Sequence, residues 1–411
     1  MRAEIIAVGT ELLTTPRSES NSVFLARKLR EIGIETPRKW VVADREQEIH
    51  EALGLALKEA DVVIFTGGLG PTRDDITREA VAGFLGLELH EDPGIMQRLR
   101  KRYERFGMEL TDNNRRQALV PEGATVISNQ NGTAPGLLIC HSDTLIFLLP
   151  GPPRELYPMV EEKVLPLITK LKKTKPLWLK TVKIAGEAES HVDARLSPIY
   201  SAYREIDTTI LSSPGIITLH FYWKGEDDES LAFQKLNELV GKIKNEMGGS
   251  VYAEVDRELP DVVGELLQER ELTLATAESC TGGLVSKLVT DIAGSSQYFV
   301  GGVVCYSNSM KVELLGVDPS TLERHGAVSS PVAAEMAEGI RHRTGASIGL
   351  SVTGIAGPGG GSIEKPVGTV FLGMANEKGT ETQELLLPGD RLTVRLRSAR
   401  AALDWVRRSL S

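Results

Sequence analysis

Short apolar runs alternate with amphipathic segments along the first part of the chain. The runs Ile5–Val8, Asp61–Phe65 and Leu145–Leu149 are typical of strands that are buried on both faces of a parallel sheet. Between them, apolar residues recur at helical spacing over Asn21–Ile32 and Gln47–Glu59. This alternation of strand and helix predicts an α/β domain whose helices pack on its sheet.

The rest of the chain divides into two further segments. Residues 173–256 follow the order β-α-β-β-α-β, which predicts a small α+β module. Residues 257–411 return to alternating strands and helices and predict a second α/β domain. Because 411 residues are too many for one core, we expect three domains, the first of them covering residues 1–172.

Composition and charge narrow the class of protein. The content of 41% hydrophobic and 25% charged residues is ordinary for a soluble protein, and no apolar run is long enough to span a membrane. A net charge of −9 and only 5% aromatic residues argue against a nucleic-acid partner. The cysteines Cys140, Cys280 and Cys305 are scattered singly, without disulfide or zinc spacing. We expect a cytoplasmic protein that acts on small molecules.

A glycine-rich loop follows the strand Asp61–Phe65. It runs over Thr66–Asp75 and precedes a predicted helix that starts at Ile76. Its candidate residues are Gly67, Gly68, Gly70, Asp74 and Asp75. Ligands bind at the carboxyl ends of strands in open α/β sheets, and there glycines let backbone amides approach a phosphate while aspartates hold a divalent cation. The alternative is a glycine-rich turn with an aspartate that caps the helix.

A second acidic loop supports the functional interpretation. The segment Pro150–Glu155 follows the apolar strand Leu145–Leu149. Because parallel strands end at the same edge of a sheet, we expect Glu155 to lie near Asp74 and Asp75.

Several motifs of this domain resemble a known family. They are the two loops above together with Gly9–Leu13, Ser20–Asn21, Asn113–Ala118 and Asn131–Gly136. Together they resemble the molybdopterin-binding domain of the MoaB and MogA proteins, in the version found at the front of CinA (competence/damage-inducible protein A) proteins. The resemblance implies a three-layer α/β fold and a metal-dependent ADP-ribose pyrophosphatase. Molybdopterin binding without ADP-ribose turnover is the alternative.

The resemblance also implies roles for single residues. It implies that a divalent metal ion, whose identity the sequence leaves open, is held by Asp74, Asp75 and Glu155. The residues expected to contact the nucleotide are Gly67, Gly68, Gly70, Asn21 and Asn114.

The α+β module resembles the connecting domain of CinA proteins, which is similar to a KH module. It lacks the Gly-x-x-Gly loop by which KH domains clamp nucleotides. Its histidines His191 and His220 have no clustered partners in the sequence, so we expect packing or surface roles for them. We interpret the module as a spacer or dimerisation element and expect a homodimer.

A strand, a turn and a helix are predicted around Ser279. The apolar run Leu272–Thr276 is followed by Ala277–Gly283, which reads AESCTGG, and apolar residues recur at helical spacing from Leu284. We therefore expect Ser279 just before a helix N-terminus, where unpaired N–H groups and the helix dipole would stabilise an oxyanion. The alternative is that Ser279 or Thr281 only caps the helix.

Two further predicted strands bring their carboxyl ends to the same place. Tyr298–Cys305 leads to Tyr306 and to Lys311 on the next helix, and Ile348–Val352 leads to the glycine-rich segment Thr353–Gly361. Leu314, Leu315 and Val317 are expected to continue the helix of Lys311. Three strand ends then converge on one site.

Three residues at these strand ends, Ser279, Tyr306 and Lys311, could together hydrolyse an amide. A serine needs a base, and a desolvated lysine could take its proton, directly or through the tyrosine, and return it to departing ammonia. Cys280 is the rival nucleophile, but no histidine lies in these motifs to activate it. A solvated lysine at a helix N-terminus is the alternative role for Lys311.

The C-terminal motifs resemble the C-terminal domain of CinA. The matching segments are Ala277–Gly283, Tyr306–Asn308 with Lys311, Gly326–Ser329 and Val352–Pro358. In stand-alone PncC-type proteins this domain is a nicotinamide mononucleotide deamidase. The resemblance implies hydrolysis of nicotinamide mononucleotide to nicotinic acid mononucleotide and ammonia, without a cofactor, with Ser279, Tyr306 and Lys311 as the catalytic group. The expected substrate contacts are Glu278, Thr281, Gly282, Gly283, Thr353, Gly357 and Arg391 or Arg395.

The combined hypothesis is a bifunctional enzyme of pyridine-nucleotide salvage whose ligands are nicotinamide mononucleotide and ADP-ribose. A regulatory or DNA-uptake partner protein without catalysis, as the family name suggests, is the alternative from another class. The acidic balance weighs against direct contact with DNA.

Overall fold

A computed structural model describes residues 1–16, 18–174, 177–225 and 228–411. By their contacts the residues fall into two compact units, Met1–Leu177 and Trp178–Ser411. The second unit therefore contains both the α+β module and the C-terminal α/β domain.

The first unit is built of strands and helices that alternate along much of its length. Its strands are β1 (Arg2–Val8), β2 (Glu35–Val42), β3 (Val62–Thr66), β4 (Leu89–Glu91), β5 (Leu119–Pro121), β6 (Thr125–Ile127), β7 (Gly136–His141) and β8 (Thr144–Leu149). Its helices are α1 (Thr10–Thr14), α2 (Asn21–Glu31), α3 (Glu46–Ala56), α4 (Thr77–Leu85), α5 (Pro93–Arg105), α6 (Asp112–Arg115), α7 (Pro153–Met159) and α8 (Leu165–Lys172). The α/β prediction for this part of the chain is confirmed.

Six of these strands form one sheet in the order β2-β1-β3-β8-β7-β6. The strands β2, β1, β3 and β8 are parallel. Every residue of β3 is buried, because helices and loops cover both faces of the sheet with separate apolar clusters. Burial on two faces explains why the predicted strands appear as continuous apolar runs.

The strands β7 and β6 complete the sheet in antiparallel orientation. The hydrophobic pattern of the chain predicts neither of these strands. β6 has only three residues, and its place in the sheet depends on pairing with β7 rather than on its own pattern.

The second unit begins with the α+β module. Its elements are β9 (Leu179–Ala185), α9 (Glu189–Tyr200), β10 (Ile206–Ser213), β11 (Ile216–Trp223), α10 (Glu229–Met247) and β12 (Val251–Ala253). The predicted order β-α-β-β-α-β is confirmed, and the strands form a sheet in the order β10-β11-β9-β12. His191 is bonded to Glu187 and His220 to Thr181, which agrees with structural rather than ligand roles.

The C-terminal domain completes the unit. Its elements are α11 (Leu259–Glu269), β13 (Leu274–Glu278), α12 (Leu284–Thr290), β14 (Phe299–Val304), α13 (Asn308–Leu315), α14 (Pro319–His325), α15 (Ser330–Thr344), β15 (Ile348–Gly354), β16 (Thr369–Asn376), β17 (Gly379–Leu386) and α16 (Arg391–Ser409). The sheet has the order β14-β13-β15-β16-β17. Because β14, β13 and β15 are parallel neighbours, their carboxyl ends meet at one edge, as predicted.

The predicted extension of α13 to Val317 is wrong. The helix ends at Leu315, since Gly316 adopts a left-handed conformation with φ of 71° and its N–H closes on Val312 O. Val317 is buried after the helix rather than within it. Among the described residues, no helix has the length and apolar character needed to cross a membrane.

Candidate active sites

Ser279 and Lys311 form a buried pair in the C-terminal domain. Ser279 lies at the end of β13, where its N–H donates to Val352 O at 2.9 Å. Lys311 lies in the first turns of α13 and is only 1% exposed. Its Nζ donates to Ser279 Oγ at 3.2 Å and to Cys305 O at 2.9 Å. The two side chains are thus within hydrogen-bond reach, which is the geometry of a nucleophile and a base.

The surroundings of Lys311 favour its neutral form. Within the described part of the chain, no carboxylate forms an ion pair with its ammonium group. Burial is the largest influence on this amine and lowers its pKa from the ordinary value of 10.5. The alternative of a solvated lysine at a helix N-terminus is therefore wrong.

Cys280 is poorly suited to act as the nucleophile. The side chain is 5% exposed and lies in the apolar core of the domain. Burial, with a smaller contribution from the charge of Glu278, raises the pKa of its thiol to about 12. The thiol stays protonated at neutral pH, whereas the hydroxyl of Ser279 has a base beside it.

Glu278 accepts hydrogen bonds from the first backbone N–H groups of α12, which were expected to be unpaired near Ser279. Its carboxylate accepts hydrogen bonds from Val285 N at 3.0 Å, Ser286 N at 2.8 Å and Ser286 Oγ at 2.7 Å. The expectation that the first N–H groups of α12 are unpaired is wrong, because the carboxylate of Glu278, at the end of β13, accepts their hydrogen bonds. The capping alternative is also wrong, since Gly283 is the N-cap, the Ser279 hydroxyl bonds to Lys311, and the Thr281 hydroxyl has no partner among the described residues.

The side chain of Tyr306 lies at the protein surface rather than packed beside Ser279. Its side chain is 62% exposed, and its hydroxyl accepts a hydrogen bond from Arg391 at 3.2 Å. Arg391 also donates to Gly357 O at 2.7 Å. The structure therefore joins three predicted residues, Tyr306, Gly357 and Arg391, in a second group near the buried pair.

Other predicted contacts shape the loops of this site. Arg395 donates from Nη2 to Thr281 O at 2.7 Å, and Thr353 Oγ1 donates to Ala327 O at 2.8 Å. Gly282 and Gly283 form the left-handed turn that joins β13 to α12. Among the described residues, Thr281 Oγ1 is buried without a partner. The conformation of the turn is thus set by its backbone, and the hydroxyl of Thr281 still has the capacity for a hydrogen bond.

The first unit has a cleft of about 510 Å³ at the carboxyl ends of β1, β3 and β8. The predicted residues that line it are Asn21, Gly67, Gly68, Gly70, Asp74, Asp75 and Glu155. Asn114 does not line this cleft, because Oδ1 accepts from Thr111 Oγ1 at 2.7 Å and Nδ2 donates to Tyr103 OH at 2.7 Å. The expected meeting of the two acidic loops at one edge is confirmed.

The glycine-rich loop is held in a tight conformation. A Cβ on Gly67 would lie 2.3 Å from Val8 O, and one on Gly68 would lie 2.0 Å from Thr77 Oγ1, so both positions require glycine. Arg116 donates to Thr72 O at 2.8 Å and to Asp75 O at 3.0 Å. The side chain of Arg116, the residue that follows α6, therefore holds the loop in a fixed conformation.

The carboxylates of the cleft do not converge on one point. Asp75 accepts hydrogen bonds from the N–H and hydroxyl of Thr72, and Glu155 accepts one from Asn129 at 2.8 Å. The side chain of Asp74 is exposed to solvent. No group of three metal-ligating side chains exists among the described residues. A cation bound in this cleft would therefore take at most one or two carboxylates from the protein and complete its coordination with ligand phosphates, as Mg²⁺ usually does.

Three further residues, Gln117, Thr133 and Asp44, line this cleft and are not among the site residues that the sequence predicts. Gln117 is 1% exposed and donates to Thr133 Oγ1 at 3.1 Å. Both residues lie inside motifs that carried the family resemblance, Asn113–Ala118 and Asn131–Gly136. The motifs contained the signal, but which side chain faces the cleft depends on the fold.

The fold and these sites define a two-part α/β protein, with an acid-lined, glycine-rich cleft in one unit and a buried Ser–Lys pair in the other. Residues 256–410 match the family model described as "CinA C-terminal domain", and residues 4–170 match the one described as "Probable molybdopterin binding domain".

Relatives match the whole chain. A "CinA-like protein" of Koribacter versatilis is 43% identical over 414 residues, which cover 100% of both chains. A "CinA-like protein" of Acidobacterium capsulatum is also 43% identical, again over 100% of both chains. A solved structure of competence/damage inducible protein CihA from Agrobacterium tumefaciens is 42% identical and covers 37% of this chain and 93% of its own, with a TM-score of 0.36. The chain belongs to the CinA family, as the motifs of both domains indicated.

Proposed function

We propose that the C-terminal domain hydrolyses nicotinamide mononucleotide to nicotinic acid mononucleotide and ammonia. The observation that carries this proposal is the 3.2 Å contact between Ser279 Oγ and the buried amine of Lys311, whose pKa burial lowers. A serine with a neutral lysine beside it is an activated nucleophile for an amide.

The reaction proceeds by two acyl transfers. Neutral Lys311 takes the proton of Ser279 as Oγ bonds to the carboxamide carbon. The C–N bond then breaks as Lys311 returns that proton to the leaving amide nitrogen, which departs as ammonia. Water, deprotonated by Lys311, attacks the resulting ester and releases the carboxylic acid and Ser279. Each step needs the amine within reach of the reacting oxygen, which its contact with Ser279 provides.

The remaining residues hold this pair and the substrate. Glu278 is a positioning residue, because its bonds to Val285 and Ser286 fix the turn after Ser279. Tyr306 and Arg391 are exposed at the protein surface, where the guanidinium group of Arg391 could bind a substrate phosphate. Thr281, with its unpartnered hydroxyl, is assigned to substrate binding.

Ammonia release from nicotinamide mononucleotide tests the proposal directly. We expect release by the purified protein with and without chelator, and its loss by at least about a thousandfold in Ser279→Ala. Cys280→Ala is the matched control and should keep its activity, because that thiol stays protonated. Release that is lost in Cys280→Ala and kept in Ser279→Ala would assign the nucleophile to the thiol.

For the N-terminal domain we propose hydrolysis of the diphosphate of ADP-ribose. The supporting observation is a cleft that combines Gly67 and Gly68 with the carboxylates of Asp74, Asp75 and Glu155. A divalent cation bound by Asp74 and Asp75 would neutralise the diphosphate, while the loop amides and the fixed carboxylate of Glu155 orient it and the attacking water.

Turnover of ADP-ribose with added Mg²⁺ or Mn²⁺ measures this activity. Asp74→Asn should lower it at least about a hundredfold and leave ammonia release by the C-terminal domain unchanged. Glu162→Gln, an exposed position outside the cleft lining, is the control. Binding of molybdopterin without ADP-ribose turnover would favour the alternative function.

With both activities, the protein would act in pyridine-nucleotide salvage, and we propose a homodimer that works in the cytoplasm. Sedimentation equilibrium measures the assembly. A partner role in DNA uptake predicts salt-dependent DNA binding at physiological ionic strength, which the net charge of −9 opposes.

A further inference from the structure

A second groove, of about 460 Å³, lies beside the N-terminal cleft. Helix α5 forms one side of it, and the loop that contains Asn129, Gly132 and Thr133 forms the other. Thr133 lines both the groove and the cleft. Asn129 donates to Glu155, a residue of the cleft, at 2.8 Å. The two depressions therefore share one wall, and a ligand that passes Thr133 would enter both.

Helix α5 presents a row of cations to this groove. The row consists of Arg98, Lys101, Arg102 and Arg105, which are spaced so that they share one helix face. Arg102 is anchored, since it donates to Gly132 O at 3.1 Å. No carboxylate pairs with the other three within the residues that the structure describes.

Folding explains only part of this row, because Arg102 and Arg105 lie in the last turn of α5, where the helix dipole favours cations, whereas Arg98 and Lys101 lie before that turn. Like charges three and four residues apart destabilise a helix, and the chain as a whole is acidic with a net charge of −9. A chain with an excess of carboxylates could pair them with these cations. In the described part of the chain, however, Arg98, Lys101 and Arg105 line the groove without a carboxylate partner. Unpaired cations that line a concave surface are suited to an anion.

The groove also offers an aromatic face. Phe106 follows the last turn of α5, lines the groove and is 62% exposed. The amide of Gln130 lies on the opposite side. A purine or a ribose can pack on such a ring while guanidinium groups bind its phosphate, and the volume suits one nucleotide moiety.

We propose that this groove binds a phosphate monoester on the nucleotide whose diphosphate occupies the neighbouring cleft. The substrate class of the N-terminal domain then extends to ADP-ribose-like molecules that carry a third phosphate on a ribose. The inference rests on the proposed binding of ADP-ribose in the cleft. A monoester brings close to two negative charges, which the three unpaired cations can neutralise, whereas the diphosphate would face the glycine-rich loop.

Equilibrium binding to the full-length protein tests the inference independently of turnover. The probes are ADP-ribose and ADP-ribose 2′-phosphate, measured by calorimetry in the presence of Ca²⁺. We expect the phosphorylated ligand to bind at least about tenfold more tightly. The double variant Arg98→Gln/Lys101→Gln should lose this preference and keep its affinity for ADP-ribose. Arg100→Gln, on the same helix but outside the groove lining, is the matched control and should keep the preference.

The outcomes separate this inference from the proposed hydrolysis. A preference for the phosphorylated ligand without turnover of either supports the groove and rejects the hydrolase. Equal affinities, absence of binding, or a preference that survives in the double variant would overturn the inference. A short single-stranded oligonucleotide is titrated in parallel, and its salt-dependent binding, lost in the double variant while both nucleotides bind as before, would assign the groove to nucleic acid instead.

Discussion

Lys311 is buried beside Ser279, with its Nζ 3.2 Å from Ser279 Oγ. We expect Lys311→Met to lower the rate of nicotinamide mononucleotide deamidation by about 10²–10⁴-fold, because the base is removed. In the wild type the rate should rise with pH through the lowered pKa of this amine and level off above it. The pH dependence of kcat, measured by ammonia release, checks both points. Lys287→Met, an exposed position on α12, is the control.

The same residue links stability to pH. In the unfolded chain the amine has its ordinary pKa of 10.5, so between the two pKa values the unfolded state binds more protons than the folded one. The free energy of unfolding should therefore rise with pH across that window and be independent of this group below the folded pKa and above 10.5. In Lys311→Met this contribution disappears, and an unaltered pH dependence of its unfolding would contradict the assigned burial.

Among the elements, the loop between β3 and α4 is held by a side chain that is distant from it in sequence, Arg116. Arg116 binds two carbonyls of this loop and the carboxylate of Glu79 at 2.8 Å. In Arg116→Gln we expect the loop to loosen and ADP-ribose to bind about tenfold more weakly, since its amides are no longer preorganised. Calorimetric titration measures this, and Arg115→Gln, which alters only an exposed pair with Glu91, should bind as the wild type does.

At the level of the complete second unit, helix α16 fastens the α+β module to the C-terminal domain. Asp404 is 5% exposed and accepts from Arg407 at 2.8 Å and from Arg408 at 2.7 Å. Those arginines donate in turn to Gly249 O and Ala185 O of the module. The carboxylate thus holds both cations against carbonyls of the module.

Removal of this carboxylate should loosen the attachment. In Asp404→Ala the buried guanidinium of Arg407 loses its counter-charge, which costs about 3–5 kcal/mol of unfolding free energy. Urea unfolding followed by circular dichroism measures the loss. Asp291→Ala, which breaks an exposed pair with Lys287, should cost less than about 1 kcal/mol. Similar losses in both variants would show that Asp404 is not a structural anchor.

Sequence patterns predicted the elements better than the contacts of their side chains. The runs that became β3, β8, β11 and β13 were found because burial on both faces or at a domain core leaves an apolar signature. The sequence pattern does not predict the hydrogen-bond partners of Glu278. Its carboxylate binds the first N–H groups of α12, which the pattern around Ser279 indicated to be unpaired. Likewise, Asn114 was expected in the cleft, but Tyr103 and Thr111 bind its amide.

The sequence by itself determined the α/β architecture, the convergence of three parallel strand ends and membership of the CinA family. These follow from apolar periodicity and from short motifs, which are local properties of the chain. Only the tertiary structure decided that Lys311 is buried against Ser279 and that the exposed Tyr306 bonds to Arg391. It also decided that a row of cations lines the groove beside the N-terminal cleft. The physical reason is that a side chain's exposure, its pKa and its hydrogen-bond partner depend on residues distant in sequence, which come together only when the elements pack.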